Sequence, residues 1–281
     1  MKIIECPRDA MQGLEEFIPT RKKVDYLNTL LAVGFDTLDF GSFVSPKAIP
    51  QMSDTAAVLS GLNLGDSKSK LLAIVANIRG ASEAIQFDEI EYLGFPFSIS
   101  ETFQQRNTNK SIVEALNTLD EIQQLCLQRD RQLVCYISMG FGNPYDDPFD
   151  PQVVGKFTEI LHSLGIHIIS LADTIGVAEP NLIKHLFNDL IPSFPDVEFG
   201  AHFHSNPATA IEKVSAAYQS GCRRFDGAIR GFGGCPMAKD ELVGNIATED
   251  MISYFDSINL DLGIDRDFFN ASIQASASIF G

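Results

Sequence analysis

The chain has 281 residues, 45% of them apolar and 10% aromatic, which is enough core for one large α/β domain or two small ones. Its 37 acidic and 21 basic side chains give a formal charge of −16, which argues against nucleic acid and anionic membranes as bulk partners. Five cysteines (Cys6, Cys126, Cys135, Cys222 and Cys235), odd in number and without zinc-knuckle spacing, fit free thiols in a reducing compartment. With no run apolar enough to span a membrane and no legible leader, a cytoplasmic protein is expected.

Short apolar runs alternate with amphipathic stretches along the chain. Residues 2–6 read as the first strand. Residues 20–33 read as a helix, with Val24, Leu27, Leu30 and Leu31 on one face and Gly34 closing it. A strand at 37–40 precedes a short helix at 54–59, capped by Ser53 or Asp54. A strand at 70–75, a helix at 80–86 and a strand at 91–98 follow. Residues 110–129 form a long helix with Ile112, Leu116, Leu119 and Ile122 on a stripe.

The second half repeats the alternation. A strand at 132–138 leads to a helix at 151–164 that opens on Pro151 and ends at Gly165. A strand at 167–171, a helix at 180–190, a strand at 198–202 and a helix at 207–219 follow, the last ended by Gly221. A strand at 224–228 and a helix at 248–255 complete eight strand–helix units, the count of a TIM (β/α)8 barrel. A helix at 268–279 is a short C-terminal extension, whose apolar face either caps the barrel or meets a second subunit in a homodimer. No Gly-x-Gly-x-x-Gly follows the first strand, which speaks against a doubly wound dinucleotide-binding sheet. No linker or composition break divides residues 1–281, so a single domain is expected.

Chemistry in such a barrel collects at the C-terminal ends of the strands. The seventh strand ends in His202-Phe203-His204, and residues two apart in a strand share a face, so the two imidazoles converge. Alone, the pattern also describes two ordinary strand-end histidines. The other strand ends carry Arg8, Asp9 and Gln12, then Asp39 and Ser42, then Ser98, Glu101 and Asn107, then Asp173, and finally the Arg230 to Pro236 loop with Asn245 beyond it. A carboxylate and an amide oxygen added to two imidazoles suit Mg²⁺ or Mn²⁺, with Zn²⁺ a further candidate. His162, His167 and His185 sit in helical or early-strand contexts and carry no such signal.

Six stretches, in order, resemble the hydroxymethylglutaryl-CoA lyases. They are Glu5-Cys6-Pro7-Arg8-Asp9-Ala10-Met11-Gln12, the Leu38 to Lys47 segment with Pro50-Gln51-Met52, the Ser170 to Val177 segment, His202-Phe203-His204, Gly231-Phe232-Gly233-Gly234-Cys235-Pro236, and the Gly244 to Asp250 segment. The resemblance runs over nearly the whole chain. It implies a metal-dependent barrel whose ligands are Asp9, His202, His204 and Asn245. It implies Arg8 beside the thioester carbonyl, Cys235 as a mobile-loop acid/base, and Asp39, Asp173 and Asn107 at further active-site positions. The chain departs from the family at Ala10-Met11, at Gly142-Asn143-Pro144-Tyr145, at Met237 and at Asp39, which is one methylene shorter than the usual glutamate. These changes leave the metal ligands intact and bear on substrate choice.

The activity so implied is cleavage of 3-hydroxy-3-methylglutaryl-CoA to acetoacetate and acetyl-CoA, a retro-Claisen step on an acyl-CoA substrate. A divalent ion would acidify the C3 hydroxyl and Arg8 would neutralise the forming enolate. Arg8 is equally placed for an ion pair with Asp39 across the barrel mouth. The competing readings are a condensing synthase of the citramalate or isopropylmalate kind, which usually carries a longer C-terminal region, and a barrel that binds metal or acyl-CoA without turnover.

Overall fold

The computed structural model describes residues 1–234 and 243–281. Eight parallel strands, β1 (Lys2–Glu5), β2 (Thr37–Ser42), β3 (Lys70–Ile74), β4 (Ile90–Ser98), β5 (Gln132–Ser138), β6 (Ile168–Asp173), β7 (Glu198–Ser205) and β8 (Arg224–Gly227), pair in sequence order. The β1–β8 pairing closes the ring, which is the (β/α)8 barrel the alternation predicts. A two-residue strand, β9 (Gly244–Asn245), runs antiparallel to the end of β7 and sets Asn245 opposite His204.

The helices are α1 (Pro7–Gln12), α2 (Thr20–Val33), α3 (Thr55–Leu59), α4 (Ile78–Ala84), α5 (Glu101–Thr108), α6 (Ile112–Gln128), α7 (Pro151–Ser163), α8 (Pro180–Ser193), α9 (Ala210–Gln219), α10 (Thr248–Ser257) and α11 (Arg266–Phe280). Their apolar stripes bury against the outer faces of the strands in one continuous core. A smaller cluster of Leu72, Ile74, Tyr92, Val134, Tyr136 and Ile168 fills the interior of the barrel. Local signals match these ends. Gly34 takes φ 86° at the end of α2, and Pro151 opens α7 behind Asp150, whose side chain accepts from the Gln152 amide.

Several expectations differ. Asp54 sits at the N-cap of α3 without capping it, because its carboxylate is taken by the Lys23 ammonium (2.7 Å) and the Thr20 hydroxyl (2.7 Å). Arg8 and Asp9 lie on α1 rather than at a strand end, and Asn107 lies on α5 rather than in a loop. The strands β2, β6 and β7 run past their expected ends, so that His204 is within β7. Helix α11 caps the barrel in its own chain. Phe280 meets Tyr26 edge-on at 6.1 Å and stacks on Phe232 at 4.5 Å, while Phe269 meets Phe35 at 6.2 Å.

The seam of the barrel holds a buried carboxyl. Glu5 accepts from the Ile229 amide (2.8 Å) and the Thr248 hydroxyl (2.6 Å), tying β1 to the segment after β8 and to the first residue of α10. Burial raises its pKa to about 8. The native chain therefore holds a proton that the unfolded chain releases above its ordinary value of 4.5. Stability contributed at this site falls as pH rises from 4.5 to 8 and levels off above that. Glu5→Gln, which cannot ionise, is expected to gain in melting temperature relative to wild type steadily across that interval. Parallel thermal melts across the range check this; a constant difference contradicts it.

Candidate active site

The polar groups converge at the C-terminal mouth of the barrel, around a cavity of about 470 Å³. Its lining includes Arg8, Asp9, Gln12, Asp39, Asn107, His202 and His204, with Ile74, Pro96 and Tyr136 as the apolar wall. Of the sequence-predicted residues in the described regions, Asp173 does not line it. Asn245 adjoins through Asp9. Cys235 lies outside the described residues.

The two imidazoles come from alternate positions of β7 and their ring centroids lie 5.1 Å apart. Each ring is oriented through Nδ1. His202 Nδ1 is 3.1 Å from Asp226 Oδ2, and His204 Nδ1 is 2.9 Å from the Thr174 carbonyl. Both Nε2 atoms are left for another partner, and His204 Nε2 is buried with none among the described residues. Such support through the far nitrogen is how metal-ligating histidines are usually held. Ligand atoms of Asp9, His202 and His204 all lie within 4.8 Å of one another.

Asn245 supplies the fourth group. Its Nδ2 donates to Asp9 Oδ2 (2.7 Å) and to the Phe232 carbonyl (2.9 Å), which orients the amide and leaves Oδ1 buried with no partner among the described residues. Two orphaned buried atoms, one on an imidazole beside the Asp9 carboxylate and one on an amide bonded to it, are what a cation would satisfy, the amide turning its oxygen inward. The donor set, two nitrogens and two oxygens, fits a divalent ion; Asp9 and His204 are shifted toward the forms that bind one, whereas burial lowers His202 but Asp226 and Asp9 outweigh it and raise it, so an ion must displace that ring's proton. Burial works to raise Asp9, but Arg8 and the two histidines outweigh it and hold the carboxyl below its ordinary value. Burial and the neighbouring His202 keep His204 below its ordinary value, hence neutral.

Arg8 is spread over three partners. Its Nε and Nη2 donate to Asp39 (3.0 and 2.5 Å), and its Nη1 donates to Asp9 Oδ1 and Gln12 Oε1, each at 3.0 Å. Four of the five guanidinium N–H groups are so used, leaving one on Nη2 without a partner among the described residues. Burial pulls the Arg8 pKa down, but Asp39 and Asp9 outweigh it and hold the charge. Burial lifts Asp39 to about 6 against the pull of Arg8. Gln12 completes the group by donating to Asp9 Oδ1 at 2.8 Å.

Asp173 is engaged elsewhere. It takes the Lys213 ammonium at 2.6 Å and the amides of Val177 and Ala178 at 2.8 and 3.0 Å. Lys213 in turn donates to the His204 carbonyl at 3.0 Å, so Asp173 bears on the site through the β7 backbone. The glycine run also has a packing reason. Gly233 takes φ 100°, and a Cβ there would lie 2.6 Å from Asn245 Nδ2 and 3.0 Å from the Asp9 carbonyl.

Sequence reasoning missed Asp226. It pairs in register with His202 across β7–β8 and is 2% exposed. The only sequence signal was a carboxylate inside a short strand, Arg224–Gly227, that the barrel pattern places beside β7. Asp226→Asn removes the anionic partner of the His202 ring and is expected to weaken divalent-metal binding by roughly 10–100-fold. Titration of the metal-free protein with Mn²⁺ measures this; unchanged affinity contradicts the assigned support.

The HMGL-like family model matches residues 2–271. A 3-hydroxy-3-methylglutaryl-CoA lyase, cytoplasmic, of Rattus norvegicus is 32% identical over 266 residues, covering 94% of this chain and 77% of the relative. A 3-hydroxy-3-isohexenylglutaryl-CoA/hydroxy-methylglutaryl-CoA lyase of Pseudomonas aeruginosa is 32% identical over 282 residues, covering 100% and 93%. A crystal structure of an HMG-CoA lyase from Acinetobacter baumannii, in complex with coenzyme A and 3-methylmalate, superposes with a TM-score of 0.92 at 31% identity, covering 99% of this chain and 91% of that one. On the match to nearly its whole length, the chain belongs to the HMGL-like family.

Proposed function

We propose that this protein cleaves 3-hydroxy-3-methylglutaryl-CoA to acetoacetate and acetyl-CoA. The carrying observation is the cluster of Asp9, His202 and His204 beside Arg8 in one cavity, with His204 Nε2 orphaned and Asn245, whose Oδ1 is also orphaned among the described residues, joined to it through Asp9. The lyase relatives favour cleavage over a condensing synthase, and an intact donor set favours turnover over a silent binder.

Asp9, His202, His204 and Asn245 would hold the ion. Bound there, Mg²⁺ or Mn²⁺ supplies Lewis acidity toward the substrate's hydroxyl and carboxylate oxygens. Cleavage moves a proton off the C3 hydroxyl, and the C2–C3 bonding pair passes to the fragment that becomes acetyl-CoA. That fragment then takes a proton at C2. Arg8 presents its remaining N–H to the thioester oxygen, where charge develops in the transition state. Asp39 and Gln12 hold the guanidinium in place, and Asn107 contacts the acyl-CoA from α5. Cys235, as the acid/base, takes the hydroxyl proton as a thiolate and returns it from the thiol to C2. Asp173 acts as a positioning residue through Lys213. A CoA-bound relative supports the acyl-CoA assignment.

Four cysteines of the described regions are free and buried, which supports a reducing, cytoplasmic setting. No helix of the described residues is long and apolar enough to cross a membrane. A homodimer belongs to the same reading, and sedimentation is its check.

The direct test is incubation with hydroxymethylglutaryl-CoA, Mg²⁺ or Mn²⁺ and a thiol reductant. Equimolar acetoacetate and acetyl-CoA are expected. Absence of both under every metal condition overturns the proposal.

A further inference from the structure

We propose that the protein carries a second divalent-metal site, on the face of the barrel opposite the cavity, built from His162, His167 and Asp196 and suited to borderline transition ions such as Zn²⁺. His162 lies near the end of α7, His167 immediately precedes β6, and Asp196 precedes β7 in the turn after α8. All three sit where β6 and β7 begin. The cavity lies at the other end of these strands, about 20 Å away for six residues of β6.

The donors point at one place. His162 Nε2 is 2.9 Å and His167 Nδ1 is 3.4 Å from the same atom, Asp196 Oδ2. One ligand atom from each residue lies within 4.8 Å of those of the other two. Bonds of about 2.0–2.1 Å in a tetrahedral site put ligand atoms about 3.3 Å apart, so the observed spacings bracket that edge. A fourth position is left to water, since all three side chains are partly exposed. Each ring needs only to carry its proton on its other nitrogen to offer a lone pair.

The framework under these donors is fixed. The His162 ring packs edge-on against the His167 ring, centroids 5.7 Å apart, and against Phe194 at 5.5 Å. The His167 carbonyl accepts from the Glu198 amide at 2.8 Å, and the Gly165 carbonyl accepts from Gln123 at 2.7 Å. Two imidazoles with one carboxylate select Zn²⁺, Ni²⁺ or Cu²⁺ over Mg²⁺ and Ca²⁺, which need more oxygen donors. The alternative is a carboxylate that only bridges two imidazoles by hydrogen bonds.

The experiment titrates metal-free protein with Zn²⁺ under reductant, comparing wild type with the double variant His162→Gln/His167→Gln. The double variant is expected to bind one equivalent fewer and to lose that part of the Zn²⁺-induced rise in melting temperature. Asp196→Asn is expected to keep the stoichiometry at high Zn²⁺ and weaken this equivalent at least about tenfold. Turnover in Mg²⁺ is expected to stay within about twofold of wild type in all variants, which also reports correct folding. Equal Zn²⁺ stoichiometry and affinity in wild type and the double variant overturns the site.

Discussion

His202→Ala is expected to remove stoichiometric divalent-metal binding and, with it, turnover of hydroxymethylglutaryl-CoA. The side chain is one of two imidazoles on β7, and its Nδ1 is already committed to Asp226. Its Nε2 is therefore the atom available to an ion. Losing only the supporting partner of such a ligand costs roughly 10–100-fold in metal affinity, so losing the ligand itself should cost more than about 100-fold. The substitution also leaves Asp226, 2% exposed, without its imidazole partner. Melting curves of the metal-free proteins measure that structural cost separately. Equilibrium dialysis with Mn²⁺ reads the metal loss, and retention of one tightly bound equivalent contradicts the proposed ligand set.

Arg8→Gln carries the second large effect. Arg8 is 8% exposed, its guanidinium is held by Asp39, Asp9 and Gln12, and one N–H is still without a partner among the described residues. Its charge is placed in advance, so no reorganisation is needed when negative charge develops on the thioester oxygen. Removing a single donor of that kind costs about 10²–10³ in kcat. Glutamine keeps much of the volume and can still reach a carboxylate, but it cannot neutralise Asp39 and Asp9. A fall in kcat larger than the rise in KM is expected, because the interaction strengthens in the transition state. Activity within a few-fold of wild type contradicts the role. Arg8→Lys is expected to recover only part, since an ammonium cannot fork between Asp39 and the two groups on α1.

The barrel was legible because its elements repeat. Eight apolar runs alternate with amphipathic stretches, and endings such as Gly34 and Gly165 mark where helices stop. What escaped was short or aperiodic. Helix α1 spans only Pro7–Gln12, and α5 buries only Phe103 and Gln104 in Glu101–Thr108, so neither shows a stripe to read. In hindsight α5 had a start signal, since the Ser100 hydroxyl accepts from the Phe103 amide. Strand β9 is two residues long and exists only through its pairing with β7.

At the site, the residues that would touch a cation were readable from their types and order, while their supports were not. Asp226 faces His202 only through strand register, which no spacing in the chain reveals. Asp173 looks like a strand-end carboxylate, yet Lys213, forty positions later, claims it. His162, His167 and Asp196 gave no sequence signal because three separate elements bring them together.

The central claim is that Asp9, His202, His204 and Asn245 grip one divalent ion. Anomalous diffraction from crystals soaked in Mn²⁺ tests it most directly. The account predicts a peak bonded to an Asp9 carboxylate oxygen, to Nε2 of His202 and of His204, and to Oδ1 of Asn245. A well-occupied peak elsewhere in the cavity, with Asn245 still turned to Asp9 and the His204 Nε2 still unpartnered, would contradict it.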